Sequence, residues 1–107
     1  MAETPTIYWE GQSGEKYKFW IYVMGTTFND KEGANYIFAK ETTKGSYKPI
    51  YIGETGDLSE RFDNHHKMPC IRRNGATHIH VHLNTSQTNR SAEETDLIQK
   101  WNPICNG

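Results

Sequence analysis

Residues 77–84 read THIHVHLN, and this run leaves the chain the least freedom. Successive side chains of a strand point to opposite faces. The run therefore places His78, His80 and His82 on one face and Ile79, Val81 and Leu83 on the other. The chain must build a sheet around that apolar face and find surroundings for three imidazoles on the reverse.

The rest of the sequence supplies partners for this strand. KYKFWIYVM (16–24) is rich in aromatic and β-branched residues and reads as a strand, followed by a turn-rich loop, GTTFNDKEG (25–33). NYIFAK (35–40) is a second strand, ETTKGSYK (41–48) a long hairpin loop, and PIYIG (49–53) the returning strand. Asp57 is a good helix N-cap, with Glu60 three residues on and Leu58 and Phe62 as the apolar stripe. The spacing predicts a helix to about Lys67, stopped by Pro69. SQTN (86–89) caps a second helix running to about Trp101, which Pro103 ends. Residues 1–15 read as an irregular arm. The expected fold class is α+β, an α/β sandwich with a small mixed or antiparallel sheet and packed helices.

The 107 residues suffice for one compact domain. Hydrophobic residues make up only 35%, but 12% are aromatic, and each ring buries a large area. No apolar run approaches the length of a membrane span, and MAETPT lacks the basic and apolar regions of a signal peptide, so the expected compartment is the cytoplasm. In that compartment Cys70 and Cys105, far apart and without CxxC spacing, are expected to be reduced. The formal net charge of −1 argues against a strongly basic nucleic-acid wrapper and leaves room for a local phosphate-contacting patch.

Chemistry-bearing residues concentrate in two helical segments and the histidine strand. In the second helix Leu97, Ile98 and Trp101 follow Glu94 at three, four and seven residues, which places Glu94 on the apolar face and turns Glu93 to solvent. A carboxylate in line with such a stripe needs a partner, a metal or a catalytic task. Alternatively, Ser91-x-x-Glu94 matches a capping box in which Glu94 bonds a backbone N–H. In the first helical segment Arg61 and His65 are four apart and share a face, either as a solvated flank or as part of a site. His78, His80 and His82 have a zinc-ligand spacing, without an evident fourth ligand, and equally suit a half-exposed sheet face. Tyr36 and Tyr51 sit on the paired strands of the hairpin.

Taken together, these pieces resemble the GIY-YIG nuclease superfamily. YIGETGDLSERFDNH matches its second strand and following helix through Tyr51, Gly53, Thr55, Leu58, Arg61 and His65. EETDLIQKWNPICN matches its later helix through Glu94, Leu97, Ile98, Pro103 and Asn106, and the spacing to Leu97-Ile98 selects Glu94 over Glu93. The family's Gly-Ile-Tyr corresponds to Ala34-Asn35-Tyr36, so only the Tyr is retained. Glu54 stands where several members carry Lys; Lys44, Lys48 or Lys67 are the available substitutes for that charge. The resemblance covers residues 34–106 as a catalytic core with a three-stranded sheet. Residues 1–33 fall outside it as an arm with an extra strand, within a single domain of residues 1–107.

The resemblance implies a metal-dependent endonuclease hydrolysing DNA phosphodiester bonds. Glu94 would hold one Mg²⁺ or Mn²⁺, an ion that keeps several waters and takes substrate phosphate as a ligand. Arg61 would stabilise the transition state with its planar, permanently charged fork. Tyr36 and Tyr51 would activate water, either being the base, with His65 relaying the proton. Gly53 and Asn106 would support the site, Asn106 by orienting a catalytic group or tying down the C-terminus. Lys67, Arg72, Arg73 and Arg90 are the candidate DNA contacts. Because 12 Lys and Arg face 13 Asp and Glu, and Glu54 adds repulsion, a homodimer or a separate DNA-binding partner is expected to supply affinity; no membrane is implied. The rival readings are a catalytically weak or inactive nucleic-acid or protein-binding module on the same fold, and a zinc hydrolase built on His78, His80 and His82.

Overall fold

The computed structural model describes residues 4–29, 31–60 and 62–107. The chain forms a small α+β domain around one five-stranded antiparallel sheet. The strands are β1 (Thr6–Glu10), β2 (Lys16–Val23), β3 (Ala34–Thr43), β4 (Ser46–Thr55) and β5 (His78–Leu83), in the order β1-β2-β5-β3-β4. The histidine strand thus lies at the centre, with β2 on one side and β3 on the other. Its apolar Ile79 and Val81 join Tyr36, Phe38, Leu58, Met68 and Ile71 in a core on one face of the sheet. On the other face helix α2 (Gln87–Trp101) packs Leu97 against Trp9, Phe19, Ile37 and Ile52. A sheet covered on both faces needs side chains that tolerate burial on both. The imidazole face meets this need through His80, fully buried, whose Nδ1 accepts a 2.9 Å hydrogen bond from the Trp9 indole. Burial pushes its pKa down to about 4, so this ring is neutral.

Several sequence expectations are corrected. The arm contains β1, in which Ile7 and Trp9 alternate inward; β1 and β2 continue the same sheet. The long hairpin loop reduces to Lys44-Gly45, because Glu41 and Lys40 pair with Tyr47 and Lys48, and Gly45 takes the positive φ of 82° that a tight turn requires. Among the described residues from Asp57 to Lys67 the expected helix does not form. Asp57 instead accepts from the N–H of Ser59, a turn that competes with helix entry, and a 3₁₀ turn forms at Phe62–Asn64. Helix α1 (Met68–Arg73) follows, and Pro69 opens it rather than stopping the one before, since its missing N–H is harmless in a first turn. Helix α2 has Ser86 as its N-cap, bonded to the Asn89 N–H, which places Ser91 inside the helix and removes the capping-box role for Glu94. Cys70 and Cys105 form a disulfide joining α1 to the C-terminal 3₁₀ turn (Ile104–Asn106), contrary to the expected free thiols. No helix among the described residues is long and apolar enough to cross a membrane.

Candidate functional site

Four separated parts of the chain meet at an open cavity of about 710 Å³. Strand β3 contributes Tyr36, β4 contributes Tyr51 and Glu54, the segment after the 3₁₀ turn contributes His65, and α2 contributes Glu94. The Tyr36 and Tyr51 rings lie 6.2 Å apart between centroids, and His65 stands edge-on to both. Gly53 makes this packing possible. A Cβ there would come within 2.7 Å of the Tyr36 phenol and 2.8 Å of the Tyr51 ring, distances that only a side-chain-free residue permits.

The closest polar contact in the cavity joins Tyr36 Oη and His65 Nε2 at 2.7 Å. Its direction follows from the other ring nitrogen. The Lys67 backbone N–H donates to His65 Nδ1 at 3.0 Å, so Nδ1 is an acceptor and carries no proton. The neutral ring then holds its proton on Nε2 and donates to the Tyr36 oxygen. Burial, with His66 and Lys67 nearby, holds the His65 pKa below its ordinary value and favours this neutral form. The Tyr36 hydroxyl proton is thereby left to point elsewhere than at His65.

The electrostatics of the cavity are those of a carboxylate-rich, half-dry site. Burial raises the Tyr36 pKa strongly, with Tyr51 and Glu94 adding to it; burial and Glu94 raise that of Tyr51. Burial and neighbouring Glu54 raise the pKa of Glu94 itself. A cation beside Glu94 would offset all three effects. The oxygen donors available there, a carboxylate beside phenols, suit a hard ion such as Mg²⁺ or Mn²⁺ that retains waters. Among the described residues no group of three or more His, Cys, Asp or Glu is placed to share a metal ion.

Other expected residues are distributed differently. Arg61 lies outside the described residues. Arg90 is no surface DNA contact. It is buried over Gly33, donating from Nε to Glu54 Oε2 at 2.8 Å and from Nη1 to the Asn84 carbonyl at 2.9 Å. Glu54 therefore has a cationic partner and is not the unpaired repulsive charge expected from the sequence. Arg72 and Arg73 are exposed in the last turn of α1, and Arg72 lines a smaller cavity of about 230 Å³ that shares Glu60 and Phe62 with the first. The Asn106 side chain accepts from the Ile52 N–H at 2.9 Å and donates to the Ile52 carbonyl at 2.8 Å, fastening the C-terminus to the residue after Tyr51.

The helical-face argument for Glu94 fails although the residue reaches the cavity. The buried stripe of α2 is Arg90, Glu93 and Leu97, so Glu93 is the buried carboxylate and Glu94 the half-buried one. Glu93 Oε1 lies 3.5 Å from His82 Nε2, and its Oε2 is buried without a partner. Burial, with Asp96 nearby, pushes its pKa up to about 7. Sequence reasoning turned Glu93 to solvent, whereas it shares the buried face with Arg90 three residues before it and Leu97 four residues after it.

The three strand histidines turn to separate partners rather than to a common point: His78 to Thr77, His80 to Trp9, and His82 to the Lys18 carbonyl and Glu93. No protein-family model matches the chain, and no curated protein or solved structure is detectably similar to it.

Proposed function

We propose that the domain is a metal-dependent endonuclease of the GIY-YIG type, hydrolysing DNA phosphodiester bonds at the cavity between β3, β4 and α2. The observation that carries this reading is the meeting of Tyr36, Tyr51, His65 and Glu94, from four parts of the chain, around one cavity. The spacing of the two sequence motifs selects the same residues.

The phenol of Tyr36 is protonated at rest, so it cannot be a resting base. Its usefulness lies in the hydrogen bond from His65 Nε2. When solvent takes the Tyr36 proton, the oxygen left behind is a phenolate that faces a fixed N–H donor and can accept the proton of the attacking water. That donor stabilises the charge where it develops and costs no rearrangement. Tyr51, farther into solvent, positions the attacking water or the phosphate. A divalent ion held by Glu94 would act as a Lewis acid on the phosphate oxygens. Arg61 is the proposed second source of positive charge.

The test is cleavage of single-stranded, duplex, branched and flapped DNA with Mg²⁺ or Mn²⁺, comparing the unaltered chain with Glu94→Gln. Metal-dependent cleavage lost in that variant, at equal folded fraction, supports the reading. Binding without cleavage by the unaltered chain would overturn it in favour of a binding module.

A further inference from the structure

The sheet face that carries Tyr36 is covered by Leu58, Phe62, Met68 and Ile71 over β3, β4 and β5 and by Phe28 over Tyr22 of β2, and the cover thins out toward Trp20 and β1. Tyr8 of β1 is 61% exposed, Trp20 of β2 36% and Leu83, at the end of β5, 43%. Beside Trp20 opens an apolar slot of about 330 Å³ walled by Tyr22, Phe28, Leu58, Val81 and Leu83. Lys18, opposite Tyr8 in register, places its Nζ 5.2 Å from the centre of the Trp20 ring. We propose that this aromatic surface binds unpaired nucleobases of a single strand, with Trp20 and Tyr8 as stacking platforms and the slot receiving a base.

Three observations favour that occupant. Trp20, Val81, Tyr36 and Gly53 form one continuous cross-strand row, so the platform and the candidate catalytic cavity share a face. Strands are spaced by about 4.8 Å, which puts the Trp20 backbone roughly 10 Å from that of Tyr36, within reach of one strand of nucleic acid. Lys16 and Lys18 lie on this face, and Glu10, the acid beside them, is opposite Lys16 in register. Exposed rings interleaved with cations suit a ligand that is planar and anionic, the combination a single strand offers. The hairpin lies outside the segment carrying the nuclease motifs and would supply affinity that a net charge of −1 does not.

The inference rests on the nuclease reading for its substrate, but its test does not need cleavage. The Glu94→Gln chain would be titrated with labelled oligothymidylate and with a duplex of equal length, following anisotropy. Tighter binding of the single strand is expected, weakened roughly tenfold or more by Trp20→Ala and less by Tyr8→Ala or Lys18→Ala. Circular dichroism and melting verify that each variant is folded. Equal affinity for the two forms, or folded Trp20→Ala and Tyr8→Ala variants that bind as before, would overturn the proposal. So would a dimer, seen by sedimentation, that Trp20→Ala dissolves, since this would assign the face to a second copy. Single-strand binding by an unaltered chain that cuts nothing would refute the nuclease reading alone.

Discussion

Replacing Glu93 with Gln should stabilise the domain at alkaline pH and change little at acid pH. His82 fixes the reasoning. Its Nδ1 lies 2.7 Å from the Lys18 carbonyl, which can only accept, so Nδ1 carries the proton and Nε2 of the neutral ring presents a lone pair to Glu93. Two acceptors cannot face each other without a shared proton, which must reside on one of them. Asp96 adds negative charge nearby, and its own carboxylate is engaged by Ser13 and Tyr17. A carboxyl whose pKa is raised in the folded state holds its proton more tightly there than in the unfolded chain. Its contribution is complete below the ordinary value of 4.5 and drains away as pH climbs through about 7. At about 1.4 kcal/mol per pH unit, that interval amounts to ~3 kcal/mol. Gln resembles the protonated acid and does not titrate. Melting curves at pH 5 and pH 8 should therefore coincide at the lower pH and separate by about 10 °C at the higher, with the variant the more stable. Parallel pH profiles for the two proteins, or a variant less stable at both pH values, would refute the argument.

Tyr36→Phe keeps the ring and removes the oxygen that His65 contacts, so cleavage should fall by roughly 10²–10⁴ with melting temperature nearly unchanged; single-turnover rates check this. Gly53→Ala should displace both tyrosines, lowering stability by about 1–3 kcal/mol in denaturant titrations and the cleavage rate with it. Reduction of the Cys70–Cys105 disulfide, which spans a sequence separation of 35, should cost ~4 kcal/mol by loop-closure entropy, read as a lower urea midpoint in the presence of a thiol reductant.

The sheet was legible wherever side-chain alternation met burial on one face, as in residues 16–24 and 77–84. It was harder to read in β1, where Pro5 and Gly11 bracket only five residues, and in the distal half of the β3–β4 hairpin, where both faces are polar. The false helix at 57–67 arose from a two-residue stripe. Leu58 and Phe62 do pack inward, but from a loop and a 3₁₀ turn, because tertiary burial needs only the side chains and not the helical period between them. For the candidate site, Tyr36, Tyr51, His65 and Glu94 were named from motif spacing, while the face of α2 was misjudged. The pattern weighed Trp101, which is 39% exposed, and ignored Arg90, whose buried guanidinium belongs to the inward stripe through Glu54. Long-range pairing of Cys70 with Cys105 leaves no local trace in a sequence.

The grip of Asn106 on Ile52 also bears on how the domain behaves in a crowd of its own copies. β4 ends the sheet, and an outer strand offers its outward amide and carbonyl groups to any passing chain. Asn106 occupies such a pair with its side-chain amide, and Pro49 leaves a gap in the donors a few residues earlier. An incoming strand would have to displace the C-terminal turn, which the Cys70–Cys105 bond ties to α1. The last residues of the chain thus act as a plug against edge-to-edge polymerisation on the flank where Tyr51 sits.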